Sequence, residues 1–420
     1  MDLINKFPEV REYRADLSNV LQNMVAVSLA LGKKNEALEL GEQSLEIAID
    51  TAKAFPQILS YQYRLATLLG NLGDVATQLR KDELAIQYYE KSNAEFLVLT
   101  NKFSVRPAQL TSWAVGLENL AKLRLRRSEF REAKSAVIQS MAKLDRALEL
   151  APDEFNALVG KASAFFMLAK IQNGLEPDEA IGHFDHAIEL AEQLLKKQPE
   201  LKEVTRLAVD SLSLRSELLA KNGELDLAIA DIERAKELID DPDLNLDRHK
   251  EVLELRKVFR AELSKYESSE LKPKNAMETL ALARELTCDR HKNYATALKL
   301  YQELFEGDFK QAEAFNSELA WIEGAECALA LALQDGVKKE RKVELFTTTR
   351  EILSQRVAMF HEAPAESRRE AGWFLRGHSF VACRDLKKLE FLPEEEQLAW
   401  AELWQQVKKF DYPLAPVVAR

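Results

Sequence analysis

The chain has 420 residues, 46% hydrophobic and 30% charged, with only 14 glycines and 12 prolines; this composition speaks against disorder and for long helices. A formal net charge of −11 argues against a general nucleic-acid or anionic-membrane surface, because phosphate binding needs accumulated lysine and arginine. Cys288, Cys327 and Cys383 are widely spaced and form no CxxC pair, so they supply neither a disulfide framework nor a zinc knuckle. No run of about 18 apolar residues reads as a membrane span, no basic-then-apolar leader opens the chain, and cytoplasm is the implied location.

In chain order, Leu3-Ile4-Asn5-Lys6-Phe7 closely copies Leu99-Thr100-Asn101-Lys102-Phe103. The expectation is a chain that starts in the last turn of a helix, as a fragment or truncated relative of a longer array. A lead-in that merely fits the repeat phase is the alternative, since terminal repeats are often atypical. Alanine then returns at 37, 85, 133, 180 and 228, at intervals of 48, 48, 47 and 48. Seven residues after each stands Ser44, Ser92, Ser140, Ala187 or Ala235, and prolines keep the same time at Pro8, Pro56, Pro152 and Pro199. A period of this size predicts a solenoid of repeated units.

Within the second unit Tyr61, Leu65, Leu68, Leu69, Leu72, Val75, Ala76 and Leu79 step by three and four, one apolar face of a helix. Arg80-Lys81-Asp82 breaks the pattern and Glu83 opens a second helix. Each unit therefore reads as a helical hairpin, with its proline expected at the start of the first helix. The alanines mark close helix contact, the residues four positions on (Tyr89, Val137, Phe184, Ile232) fill the neighbouring gap, and Gly41 reads as a weak spot.

The predicted fold is all-α: an α-α superhelix of elongated hairpins closed by a helical C-terminal cap. Residues 1–240 are read as five hairpins, 241–270 as a linker and connecting helix, 271–362 as two divergent hairpins and 363–420 as the cap. Trp373, Trp400 and Trp404 fall in the cap, over the last apolar face.

Alanine, a bulky residue at plus four and a small one at plus seven resemble the second helix of a tetratricopeptide repeat, lengthened from its usual period of about 34 residues. The strings FPEVREYRADL from Phe7 and FPQILSYQYRLATLLGNLG from Phe55 are similar to repeat arrays that lie C-terminal to the kinase domain of planctomycete-type bacterial serine/threonine kinases. Val381, Arg384, Asp385, Leu392, Pro393, Glu396, Trp400, Leu403, Trp404 and Val407 resemble the segment that closes such proteins. The resemblance implies a protein-interaction module in bacterial signalling, with first helices lining a concave groove. It leaves open a regulatory role in cis beside a kinase domain, or self-association through an exposed N-terminal repeat face.

The sharpest candidate site is an asparagine ladder, Asn23, Asn71 and Asn119, spaced by 48 and 48. In the resembled family, asparagines at comparable places hold the backbone of an extended ligand, and a carboxamide offers both donor and acceptor for that work. Bridging polar groups between helices is the alternative use. One turn further stand Asp74, Lys122 and Lys170, with Arg126 nearby; Lys122, Arg126 and Lys170 form a candidate basic patch for an acidic side chain or carboxylate, or simply a solvated face.

No catalytic residue, metal site or cofactor is predicted. His183 and His186 lack a third ligand nearby and read as ordinary histidines. Cys288 and His291 read as helix neighbours that do not face one another. Cys383-Arg384-Asp385 lacks the metal-holding asparagine of a kinase loop, Glu390 standing in its place.

Overall fold

In a computed structural model, residues 11–127, 129–173, 177–239, 241, 244–268, 270–306, 317–361 and 380–408 are described. The sequence readings at residues 3–8, Pro242, Pro364 and Trp373 lie outside them. Every regular element among the described residues is helical, and the architecture is all-α.

Ten helices carry the repeat: α1 (Arg11–Ala30), α2 (Lys34–Ala54), α3 (Leu59–Gln78), α4 (Asp82–Lys102), α5 (Pro107–Arg126), α6 (Phe130–Leu150), α7 (Phe155–Gln172), α8 (Pro177–Lys197), α9 (Lys202–Asn222) and α10 (Leu225–Leu238). First helices begin at 11, 59, 107, 155 and 202, and second helices at 34, 82, 130, 177 and 225. The alanine beat is thus the beat of the helices. The chain divides into two compact units, residues up to Leu125 with Glu129–Leu168, and Arg126–Ser128 with Ala169 onward.

In the first unit, Ala37, Ala85 and Ala133 are fully buried, and so are Ala180 and Ala228 in the second. The serines at plus seven serve as ties as well as spacers. Ser44 Oγ donates to the Ser18 carbonyl at 3.2 Å and Ser92 Oγ to the Ala66 carbonyl at 2.8 Å, linking second helix to first. Gly41 corrects the expectation of a weak spot: a Cβ there would lie 2.5 Å from Leu72 Cδ2. The glycine is the seat that lets α3 pack against α2. The gap one repeat on is closed the opposite way, with the Tyr89 ring lying over Gly73, whose Cβ would meet it at 2.6 Å.

Four of the hairpin tips share one geometry. Lys33 N donates to Ser28 O at 2.8 Å, Lys81 N to Ala76 O at 2.9 Å, Glu129 N to Arg124 O at 2.9 Å and Glu224 N to Leu219 O at 2.7 Å. This six-to-one bond closes a first helix through one left-handed residue, which is Gly32 (φ 74°), Arg80 (φ 60°) or Gly223 (φ 85°). Among the described residues the repeating prolines do not start helices, which is a further correction. Pro56, Pro152 and Pro199 lie in the turns that precede α3, α7 and α9, where a fixed φ favours the turn. The prolines at first helical positions are Pro107 and Pro177, outside the beat.

Beyond α10 the second unit continues through α11 (Leu246–Ala261), the short α12 (Leu263–Glu267), α13 (Ala276–Thr287), α14 (Tyr294–Glu306), α15 (Ser317–Ala332) and α16 (Lys339–His361). Then come α17 (Val381–Arg384), a 3-10 turn (Leu386–Leu389) and α18 (Glu394–Lys408). One apolar cluster joins Val252, Tyr301, Trp321, Phe346, Phe380, Trp400 and Trp404. Phe305 stacks on Trp321 with ring centroids 3.8 Å apart. Trp404 Nε1 donates to the Cys383 carbonyl at 2.9 Å, and Arg350 holds the Glu396 carboxylate with two bonds of 2.9 and 3.0 Å. Asp385 accepts from Lys387 N at 3.2 Å as the cap of the 3-10 turn, an ordinary structural use of an aspartate.

Candidate functional site

The asparagine ladder lies in the first unit. Each asparagine is the thirteenth residue of a 20-residue first helix, so the three share one register position. Asn23 and Asn71 are exposed, while Asn119 is half-buried. Asn119 Nδ2 donates to Asp74 Oδ1 at 2.9 Å, which ties α5 to α3. The Tyr89 hydroxyl donates to the same oxygen at 2.6 Å. Asn23 and Asn71 have no hydrogen-bond partner among the described residues, so two rungs are open amides and the third is an anchored one.

Burial pushes the Asp74 carboxyl above its ordinary range, against the Tyr89 and Asn119 bonds and the nearby Lys122 charge. Lys122 is exposed. Arg126 and Lys170 are half-buried members of the second unit, each with an interaction partner in the fold. The structure therefore gathers Asn119, Asp74, Tyr89 and the field of Lys122 into one polar group, with Asn23 and Asn71 in register beside it. Such a face can donate and accept at a peptide backbone and offers a carboxyl and an ammonium for side chains.

Sequence reasoning missed the carboxyl next door. Glu118 is 5% exposed, accepts from Ser140 Oγ at 3.2 Å, and is pushed up to about 7 by burial against Lys122 and the Ser163 and Ser140 hydroxyls. Gly160 lies beside it and makes room for Leu144, whose Cδ2 a Cβ there would meet at 2.9 Å. The signal was an acid inside the apolar run Leu117-Glu118-Asn119-Leu120, where the phased asparagine drew the attention.

A second missed cluster lies in the second unit. Glu285 is fully buried; Arg260 grips it with bonds of 2.5 and 3.1 Å, and Arg256 adds one of 3.2 Å. The same guanidiniums donate to the carbonyls of Ala220 and Gly223 at 2.8 and 2.7 Å. Cys288 and His291 join Glu285 with ligand atoms within 4.8 Å of one another, which corrects the expectation that they stand apart. Residues three apart can meet across one turn, and here α13 ends at Thr287 and a tight turn, with both His291 N and Lys292 N donating to Cys288 O at 3.0 Å, brings the two together. The donor set does not suit a metal: two guanidiniums already saturate the carboxylate and repel a cation.

Nearby, Arg284 Nε bonds Glu323 at 3.0 and 3.1 Å, and Tyr301 donates to Glu323 at 3.1 Å. Burial, with the Glu323 charge adding to it and Arg284 opposing, lifts Glu217 to about 7. His249 is held down to about 3 by burial and the charges of Arg284 and Arg256. A cleft of about 490 Å³ between α8, α9 and α10 is lined by Arg215, Asp185, Asp231 and Arg234, charges that pair with one another. His183 is half-buried and His186 exposed. Cys288, Cys327 and Cys383 are all free and buried. Among the described residues, no helix is long and apolar enough to cross a membrane.

No family model and no curated protein matches the chain. Solved structures do. A tetratricopeptide-repeat protein of Thermus thermophilus is 18% identical, covering 57% of this chain and 99% of its own, with a TM-score of 0.29. A tetratricopeptide-repeat protein of Parabacteroides merdae is 14% identical over 80% of this chain and 93% of its own, with a TM-score of 0.34. The apo form of RapI is 14% identical over 94% and 99%, with a TM-score of 0.33. On its own helices, repeated at 48 residues with a buried alanine in each second helix, the chain is an all-α protein of repeated helical hairpins.

Proposed function

We propose that this chain is a non-catalytic interaction module that holds a peptide or partner domain against the first-helix face of its N-terminal hairpins. One observation carries the reading: Asn23 and Asn71 occupy the same position in successive first helices, exposed and unpartnered, beside an Asn119 anchored to Asp74. A solvent-facing asparagine lowers helix propensity, and the two open amides make no compensating bond within the fold. Asp74, Lys122, Arg126 and Lys170 are assigned as flanking polar contacts, and no cofactor is invoked. A regulatory role in cis beside a bacterial serine/threonine kinase domain in the cytoplasm has the sequence resemblance behind it and is the second reading.

Affinity capture with residues 1–420, set beside the Asn23→Ala/Asn71→Ala/Asn119→Ala variant with folding verified for both, tests the proposal. A partner held by the wild type and released by the variant supports it. Equal capture by both removes the ladder from binding. Asn71→Ala is the cleaner single change, because Asn119→Ala also removes the bond to Asp74, a stability cost of about 1 kcal/mol.

A further inference from the structure

Glu217 is the sixteenth residue of α9, the register position that Asp74, Lys122 and Lys170 hold in α3, α5 and α7. Half-buried, it makes no hydrogen bond or ion pair among the described residues. The charges of Arg284 on α13 and Glu323 on α15 both reach its carboxyl, and His249 of α11 lies in the field of the same Arg284. Four helices of the second unit thus send titratable side chains to one place. The place is open to solvent, for the Arg284 and Glu323 side chains keep 14% and 28% of their surface.

Within the group the other charges are engaged. Arg284 Nε donates to both Glu323 oxygens at 3.1 and 3.0 Å, and the Tyr301 hydroxyl donates to Glu323 at 3.1 Å. Arg256 is held on Glu285 and on the Ala220 carbonyl. Burial and the charges of Arg284 and Arg256 keep His249 neutral down to about 3, so it adds no positive charge. With Glu217 ionised, two carboxylates face one guanidinium, and one negative charge is left over. An enclosed carboxyl is stabilised by a positively charged donor. An alkylammonium supplies it: one charge on a compact head with three N–H donors. The net charge of −11 on the chain favours the approach of cations.

We propose that this group binds an alkylammonium head, either the lysine side chain of a partner or a free amine, at the Glu217 carboxylate beside Glu323. Without a ligand Glu217 holds a proton up to about pH 7, because burial and the Glu323 charge raise it. The ammonium displaces that proton to the buffer, so affinity rises with pH. The site is separate from the asparagine ladder and does not rest on it.

Titration calorimetry of the full chain with n-butylammonium, and with a short capped peptide bearing a single central lysine, reads it directly. Binding is expected at pH 8 and about tenfold weaker at pH 6, from a carboxyl that titrates near 7. At pH 7 about half a proton should be released per ligand bound, read from the heats in buffers of different ionisation enthalpy. Glu217→Gln should weaken binding at least tenfold at pH 8 and remove the pH dependence. Glu303→Gln, exposed on α14, should leave both unchanged. Binding of the peptide alone supports the site with a partner's lysine as its source; binding of butylammonium alone supports it with a free amine. The proposal is overturned if neither probe binds at pH 8, or if the acetyl-lysine peptide binds as well as the lysine peptide. Binding by the wild type without proton release overturns it too, a result that does not depend on how the variant folds.

Discussion

Burial holds the Glu118 carboxyl near 7 in the fold, above the roughly 4.3 of a free glutamate. The folded state therefore keeps a proton that the unfolded state has lost. Stability contributed by this group falls as pH rises through the unfolded value and levels off above about 7. Glu118→Gln supplies a neutral carboxamide at every pH. Chemical unfolding of wild type and variant at pH 5 and pH 8 should show them similar at the lower value. At the higher value the variant should be more stable, by up to about 3 kcal/mol. An equal difference at both values would refute the assignment. The glutamate itself was legible in the sequence as an acid within an apolar run, but not its burial. That depends on contacts with Ser140 and Ser163 from two other helices, which periodicity does not reveal.

Among elements, the helices and their phase were readable because close helix packing demands a small side chain at a fixed place, and Ala37, Ala85, Ala133, Ala180 and Ala228 satisfy it in turn. The prolines were misplaced by a few residues because a proline signals a turn and a helix start equally well. Gly41 was misjudged because the side chain that fills its space, Leu72, comes from the next hairpin. The tips lend themselves to a test. Arg80 adopts φ 60° where two other tips use glycine, a left-handed conformation that costs a side chain roughly 1–2 kcal/mol. Arg80→Gly is expected to raise stability by up to about 1 kcal/mol, the gain reduced by glycine's freedom in the unfolded chain. Gly32→Ala should cost about 1 kcal/mol from the same strain. Gly223→Ala should cost more, because its Cβ would lie 2.6 Å from Arg290 Nε. Thermal melts that rank Gly32→Ala as the more damaging of the two would contradict this account of the tips.

For the molecule as a whole, the period of 48 made the architecture legible from the first half of the sequence, since each hairpin repeats the packing solution of its neighbour. The second unit was far less legible. Its Arg256–Glu285–Arg260 and Arg284–Glu323 groups join helices that no longer repeat, through residues 25 to 39 apart in the chain, and nothing in local spacing signals such a pairing. The candidate site stands between these cases: the phase of Asn23, Asn71 and Asn119 could be read, but not that Asn119 is spent on Asp74. We propose a partner on the first-helix face of the N-terminal hairpins. Hydrogen–deuterium exchange of the chain with and without its captured partner tests it most directly. Added protection is expected in α1, α3 and α5 around Asn23, Asn71 and Asn119. Protection confined to α2, α4 and α6, or to the second unit, would contradict it.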